Sequence, residues 1–201
     1  MINLLRLPLV FSIFVALLLA ACASPKHISM WKDPSYKGQP ERIMIISVDK
    51  DPLTRQVFED EFVKQLKAHG TEAVASYTVL PAKHQEDPDA ILAKVEELRA
   101  NAVLITRLLS KEIAKGSVPV TESSGKWKDY YGYDKRTMYP PGIIAEDGYI
   151  VLETKMYKAA NIEMVWSVTT KTAIGGSFQQ RINSYIDNMV QTMVEQGLLV
   201  R

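Results

Sequence analysis

Few residues of this chain are of a type that could do chemistry, and the most informative is its single cysteine, Cys22. The three histidines, His27, His69 and His84, have no partner at the i, i+4 spacing with which a helix holds zinc. The sequence contains no Gly-x-Ser-x-Gly elbow, no Walker loop and no Gly-x-Gly-x-x-Gly turn. We therefore expect no catalytic residue, no metal site and no cofactor, and Cys22 is the residue whose chemistry has to be explained.

Cys22 directly follows an apolar leader. Arg6 precedes an apolar run over residues 7–19, and two small alanines stand before the cysteine, as in a secretory signal peptide. The alternative interpretation is a membrane-spanning helix. Such a helix needs about 20 apolar residues, and this run is shorter. The tract Leu19-Ala20-Ala21-Cys22 resembles the bacterial lipobox. This resemblance implies a lipoprotein-type signal peptide over residues 1–21 and a mature chain that begins with an acylated cysteine.

Acyl chains on Cys22 would hold the protein on a lipid bilayer. A lipid anchor contributes about 0.8 kcal/mol per buried methylene group, and anchoring is stable once two or more chains insert. The lipoprotein modification supplies at least a diacylglyceryl group. Because Ala23 and not aspartate follows the cysteine, the chain also resembles lipoproteins that are forwarded to the outer membrane. We therefore expect a palmitate-type anchor and a domain that faces the periplasm from the outer membrane of the cell envelope.

The charge balance narrows the classes of partner. Arg6 is the one charged residue before Cys22, so the remaining chain has a formal net charge of zero. This argues against nucleic acid, which requires a basic surface, and against a polybasic membrane-binding segment. With one cysteine there is no intramolecular disulfide. The acidic clusters Glu59-Asp60-Glu61 and Glu96-Glu97 are predicted to be solvated faces of helices.

Residues 22–41 are predicted to form a lipid-anchored tether, because prolines and a glycine are frequent there. Some 20 extended residues would reach about 65 Å. Docking of Trp31 and Tyr36 on the domain would shorten that reach, and this is the alternative that we favour.

The chain from residue 42 to residue 201 is predicted to be a single α/β domain. Apolar runs at residues 42–48 and 102–109, with a shorter one at residues 71–76, indicate strands covered on both faces. Asp51-Pro52 and Asp87-Pro88 each predict a helix start, with aspartate as the cap and proline at the first helical position. The alternation of strands and helices indicates β-α-β units.

A different pattern follows in the last third of the chain. Residues 149–158 and 162–172 alternate between apolar and polar positions, which predicts an antiparallel hairpin, and Ser177 with Gln180 forms a capping box that opens a C-terminal helix. The predicted fold class is therefore α/β with a mixed sheet: β-α-β-α-β, a long loop, an antiparallel β-hairpin and a C-terminal helix. Gly175-Gly176 could place an anion at the start of that helix, but a plain turn is the interpretation that we favour.

The long loop over residues 121–148 is the most distinctive segment after the leader. It contains Trp127 and four tyrosines close together, namely Tyr130, Tyr131, Tyr133 and Tyr139. Loops of this length are usually functional or disordered, and disordered segments avoid aromatic residues. Tyr and Trp beside Gly, Lys and Arg are typical of an adaptable binding surface. We hypothesise that these five side chains bind an envelope protein or a glycan; the alternative is that they pack against the edge of the sheet.

The order of elements resembles a superfamily of envelope lipoproteins that includes the penicillin-binding-protein activators, the curli-secretion lipoprotein and the TolB N-terminal domain. The tracts that carry the resemblance are Arg42-Ile43-Met44-Ile45-Ile46-Ser47-Val48, Arg55 with Phe58-Glu59-Asp60-Glu61-Phe62, Gly70-Thr71-Glu72-Ala73-Val74, Ala102-Val103-Leu104-Ile105-Thr106, and the hairpin with Leu152–Met156 and Asn161–Ser167. Within that group the chain is most similar to lipoproteins with Trp-Lys-Asp-Pro-x-Tyr near the mature start, here Trp31–Tyr36.

The resemblance implies binding, activation or assembly of other envelope components, without catalysis. We therefore expect a non-enzymatic adaptor domain. Two alternatives stay open. One is a subunit of an oligomeric envelope assembly or export complex. The other is a hydrolase of an envelope polymer, with His84 or the Gly175-Gly176 turn in its site.

Overall fold

The computed structural model describes residues 26–84, 87–113 and 148–200. They form a six-stranded mixed sheet in the order β1-β6-β5-β4-β2-β3. The strands are β1 (Lys26–Lys32), β2 (Arg42–Val48), β3 (Glu72–Ala75), β4 (Ala102–Ile113), β5 (Gly148–Lys158) and β6 (Met164–Ala173). The helices are α1 (Pro52–Ala68), α2 (Ser76–Val79), α3 (Pro88–Glu97) and α4 (Phe178–Glu195). The predicted α/β fold with a mixed sheet is confirmed.

The sheet joins a parallel half to an antiparallel half. β2 pairs in parallel with β3 on one side and with β4 on the other. β4, β5, β6 and β1 then pair antiparallel, each with the next. The parallel half is connected through α1 and α3, as the predicted β-α-β units require.

Local signals set the helix starts. The carboxylate of Asp51 accepts hydrogen bonds from the backbone N–H groups of Leu53 and Thr54. Asp87 caps α3 in the same way, and proline occupies the first turn of both helices. Because a side-chain cap and a proline act within one turn, both starts are predictable from sequence.

Helices cover both faces of the sheet. α1 and α4 pack on one face around a buried cluster whose largest side chains are Phe62, Trp166 and Tyr185. α3 packs on the other face, where Ile91 and Val95 meet the apolar side chains of β2 and β4. Of the helices in the described ranges, none is both long enough and apolar enough to cross a bilayer.

Strand β1 differs from the predicted tether. Residues 26–32 pair with β6, from Lys26 opposite Lys171 to Lys32 opposite Trp166. The prediction of a tether over residues 22–41 is therefore wrong for residues 26–32, whose backbone is held by the sheet.

The residues after β1 also pack on the domain. Asp33 N donates to Val165 O at 3.0 Å, and Tyr36 packs against the core under α1 and α4. Docking on the domain, the favoured alternative, is confirmed for Tyr36, whereas the side chain of Trp31 is 45% exposed and only its backbone is paired, with β6. Three residues, 23–25, remain between Cys22 and β1, and the four residue steps from Cys22 to Lys26 span at most about 14 Å.

Candidate functional site

The residues predicted for lipidation and for partner binding lie outside the described residues. They are Cys22 and the loop residues Trp127, Tyr130, Tyr131, Tyr133 and Tyr139. Their roles stay predictions. The structure does place the two ends of the loop segment, because Ile113 at the end of β4 pairs with Gly148 at the start of β5.

The histidines contact neighbouring parts of the fold. His27 Nε2 lies 2.7 Å from Asn188 Oδ1 and so connects β1 to α4. His84 Nδ1 lies 3.5 Å from Asp87 Oδ2, at the start of α3. Within the ranges that the structure describes, no three His, Cys, Asp or Glu residues are grouped so as to hold a metal ion. The contact of His27 connects two elements, and the contact of His84 lies at the start of a helix. Neither contact supports a hydrolase site at His84.

The Gly175-Gly176 turn has a structural explanation. Ser177 Oγ accepts a hydrogen bond from Gln180 N at 3.2 Å, and Gln180 Oε1 accepts one from Ser177 N at 2.8 Å. Gly176 has φ +71°, a backbone conformation that favours glycine. Because the chain's own side chains already bond the first N–H groups of α4, the predicted capping box accounts for this turn.

A buried carboxylate lies where open α/β sheets usually bind ligands. β2 has β3 on one side and β4 on the other, so the order of the strands reverses at its carboxyl end. Glu59 of α1 is fully buried there. It accepts hydrogen bonds from Ser47 N at 2.9 Å, Ser76 Oγ at 2.8 Å and Tyr77 N at 3.1 Å. One carboxylate therefore connects β2, the end of β3 and α1.

Arg55 supplies the charge opposite Glu59. Its Nη2 lies 3.9 Å from Glu59 Oε1 and 3.5 Å from Ser76 Oγ, and both charged side chains are buried. Arg55 Nε is buried without an acceptor among the described residues. Since the hydrogen-bonding capacity of Glu59 is taken up by groups of the chain itself, this cluster serves the connection of sheet and helix, and we do not assign it a ligand.

Burial raises the pKa of Glu59 above its ordinary value of 4.5, because removal from water disfavours the charged form. Hydrogen bonds from Ser47, Ser76 and Tyr77 and the charge of Arg55 act in the opposite direction. They offset the effect of burial only in part.

This raised pKa predicts a pH dependence of stability. Between pH 4.5 and the pKa of folded Glu59, the folded state binds more protons than the unfolded state, so the free energy of unfolding should fall as the pH rises. The Glu59→Gln variant should lack this part of the slope. Urea denaturation of both proteins between about pH 4 and pH 8 measures the difference. Parallel curves for the two proteins would contradict a raised pKa.

A second charged network lies across β4 and β5. Arg107 Nε is 3.1 Å from Glu153 Oε2, and Lys155 Nζ is 3.1 Å from Glu153 Oε1. The three side chains are largely buried, at 7% to 12% exposure. Sequence reasoning missed this network, because the register that pairs Arg107 with Glu153 is set across two strands separated by a long loop.

The outer edge of β1 carries exposed apolar side chains. Met30 is 49% exposed and Trp31 is 45% exposed. No strand pairs with the outer side of β1 in the part of the chain that the structure describes, so its backbone groups face outward. A register shift between His27 and Ser29 leaves Ile28 as a bulge and limits the regular outer edge to residues 29–32.

Comparison with known proteins finds similarity in fold alone. No family model and no curated protein matches the sequence. A single-residue variant of the PelC dodecamer from Paraburkholderia phytofirmans is 14% identical, with 88% of this chain and 99% of that chain covered and a TM-score of 0.51. The shared feature is the fold.

Two further solved structures are less similar. The PelC dodecamer in another crystal form is 14% identical, with 86% of this chain and 96% of that chain covered and a TM-score of 0.48. Lipoprotein GNA1162 from Neisseria meningitidis is 11% identical, with 78% and 97% covered and a TM-score of 0.39. The function therefore has to be argued from this chain's own residues.

Proposed function

We propose that this chain is a non-catalytic lipoprotein of the bacterial cell envelope, and that it binds another envelope component at the outer edge of β1. The observation that carries the proposal is the half-exposed pair Met30 and Trp31 beside an unpaired stretch of strand. Open strand edges are usually protected because other chains can pair with them. Tryptophan is also among the residues that contribute most to binding energy at protein interfaces.

The proposed binding edge lies close to the predicted anchor. At most about 14 Å of chain separates Cys22 from Lys26, the first residue of β1. A domain held at this distance keeps β1 beside the membrane surface. We therefore expect the partner to be a protein on the same face of the same membrane.

A photo-crosslinking residue tests the β1 edge in the full-length lipoprotein in its own cells. With p-benzoylphenylalanine in place of Trp31, irradiation should give a discrete protein adduct that mass spectrometry can identify. The matched control carries the same residue in place of the exposed Glu96 of α3, which lies at the far side of the sheet, and should give no adduct. Equal labelling at both positions, or none at position 31, would refute binding at this edge.

The aromatic loop is a second proposed contact surface, supported by its sequence. Trp127 and the four tyrosines are the motivation, and a protein or a glycan would be the partner. The same photo-reactive residue in place of Tyr133, together with deletion of residues 127–139, tests this surface. Unchanged partner capture after the deletion would remove the loop from the proposal.

The Cys22→Ser variant should lose the anchor. We expect it to incorporate no labelled palmitate and to leave the membrane fraction, because the sulfur that carries the acyl chains is absent. The matched control is Ala23→Ser, which keeps the thiol and should remain on the membrane. A Cys22→Ser protein that still sediments with membranes would overturn the anchoring.

A second candidate function is a subunit of an oligomeric envelope assembly. The PelC structure that shares this fold at a TM-score of 0.51 is a dodecamer. In this chain β1 and β3 are both sheet edges, so copies can associate head to tail. Native mass spectrometry of the full-length protein in detergent should then show one oligomer, and crosslinks from position 31 should join two copies. A monomer alone would exclude this function.

A further inference from the structure

One end of the sheet brings together the starts of three elements. Lys26, the first residue of β1, pairs with Lys171 near the end of β6. β5 begins at Gly148, whose carbonyl accepts a hydrogen bond from Ile174 N at 2.8 Å, just past β6. α4 begins a few residues later, at Phe178. We call this surface the basic end and define it as residues 26–29, 148–152 and 170–181.

The basic end has a net positive charge, although the chain from Cys22 onward has a formal net charge of zero. Its three ranges contain three Lys and Arg residues, Lys26, Lys171 and Arg181, and no Asp or Glu. The end of β4 that pairs with β5 beside them adds one residue of each sign, Lys111 and Glu112, and so no net charge. A net charge of zero argues against a polybasic segment along the sequence. It does not prevent the fold from placing cations from two separate segments, residues 26–29 and 170–181, at one end of the sheet. Such a local concentration of positive charge attracts an anionic surface.

Exposed apolar side chains lie among these cations. Ile28, Tyr149 and Phe178 are between 44% and 57% exposed. Lys171 Nζ lies 4.5 Å from the ring centroid of Tyr149, and the Arg181 guanidinium lies 6.0 Å from that of Phe178. An amphipathic aromatic ring beside a long cationic side chain is the combination found at membrane–water interfaces, where the ring enters the boundary and the cation meets phosphate.

We infer that the basic end binds the anionic phospholipid headgroups of the membrane that carries the anchor. This inference rests on the proposed acylation of Cys22, because the short connection holds Lys26, at this end of the sheet, within about 14 Å of the acylated residue. The headgroup layer on each side of a bilayer is itself roughly 5–8 Å thick. Phe178, Tyr149 and Ile28 therefore enter this layer while Lys171 and Arg181 bind its phosphates. The outer edge of β1 remains lateral and open to a protein partner.

A fluorophore on the basic end tests this orientation in the full-length lipoprotein. Because Cys22 is the only cysteine, the acylated protein should accept a thiol label only where a second cysteine is introduced. The Phe178→Cys variant is labelled with a nitrobenzoxadiazole fluorophore and reconstituted in vesicles that contain phosphatidylglycerol and brominated acyl chains. The matched control is Val200→Cys, at an apolar residue that is 54% exposed, compared with 44% for Phe178, and that lies beyond the other end of α4. Fluorescence should be quenched at position 178 and not at position 200.

The charge of the lipid provides the second readout. A cation near an anionic membrane contributes about 1 kcal/mol to binding. Lys171→Ala should therefore lower the ratio of quenched to unquenched label at position 178 about fivefold. Lys37→Ala, an exposed lysine beyond the opposite end of β1, should leave the ratio unchanged. In vesicles whose only phospholipid is phosphatidylcholine, every variant should show the low ratio of quenched to unquenched label expected for Lys171→Ala.

The outcomes separate the two proposals. Labelling of the wild-type protein would show a free Cys22 thiol and would refute the acylation. A wild-type protein that takes no label, with equal quenching at positions 178 and 200, would refute membrane binding by the basic end while leaving the anchor in place. Quenching at position 178 that does not depend on phosphatidylglycerol or Lys171 would refute the electrostatic part. Protection of position 178 only when another protein is added would assign this end to a protein partner and overturn the inference.

Discussion

The Glu59→Ala variant should lose about 3–5 kcal/mol of its free energy of unfolding, as expected when one partner of a buried ion pair is removed. Three donors, Ser47 N, Ser76 Oγ and Tyr77 N, would lose their acceptor, and the buried guanidinium of Arg55 would lose its counter-charge. Urea denaturation measures the loss. The matched control, Glu96→Ala on the surface of α3, should change the free energy of unfolding by less than about 0.5 kcal/mol.

A double variant shows whether the loss comes from the uncompensated charge. Arg55→Met with Glu59→Leu should be more stable than Glu59→Ala, because apolar side chains of similar volume remove both buried charges together. If Glu59→Ala were no less stable than Glu96→Ala, the carboxylate would not be the connection between β2, the end of β3 and α1.

Trp166→Ala should have an effect of similar size, about 3–5 kcal/mol, because it leaves a large cavity in the core under α1 and α4. It also removes the donor to Gln196 Oε1, which Trp166 Nε1 reaches at 2.7 Å. The matched control is Trp31→Ala, in which a half-exposed tryptophan is removed from the sheet edge and the loss should be far smaller. Thermal denaturation of both variants measures the difference.

Trp166→Phe divides the effect into packing and hydrogen bonding. This variant keeps most of the buried volume but loses the hydrogen bond to Gln196. We expect the free energy of unfolding to fall by roughly 1 kcal/mol for the hydrogen bond and by a further amount for the smaller ring. Equal losses for Trp31→Ala and Trp166→Ala would contradict the burial that the structure gives to Trp166.

The sequence predicts the elements of this fold whose signals are local. Asp51-Pro52 and Asp87-Pro88 fix helix starts within one turn, and the capping box of Ser177 and Gln180 does so for α4. The apolar runs of β2 and β4 indicate strands buried on both faces, because neighbouring strands and two helical layers exclude water from them.

Elements stabilised by distant partners are harder to predict. β1 is held by β6, whose residues lie about 140 positions later in the chain, and the bulge at Ile28 breaks the alternation that would otherwise indicate a strand. Prolines after β1 favoured the interpretation as a tether, which is wrong for residues 26–32. The basic end could not be predicted either, because its cations come from segments that only the fold brings together.

Charged residues were misinterpreted for a related reason. The cluster Glu59-Asp60-Glu61 was predicted to be a solvated face, which is wrong for Glu59. Asp60 is exposed and accepts a hydrogen bond from Tyr77 Oη at 2.6 Å, while its neighbour Glu59 is fully buried. Sequence shows that a residue carries charge, but only the packing of α1 on β2 shows which carboxylate turns inward.

If the chain is exported as the proposed lipoprotein, the pairing of β1 with β6 also sets an order of events during biogenesis. The first strand to leave the translocation channel would have its hydrogen-bonding neighbour, Met164–Ala173, within about the last forty residues of the chain, so it could pair only after most of the polypeptide had been exported. An enzyme that acylated Cys22 during this interval would meet an N-terminal segment that is not yet paired with β6. Pairing of β1 with β6 would then bring the acylated residue within four residue steps of the finished sheet.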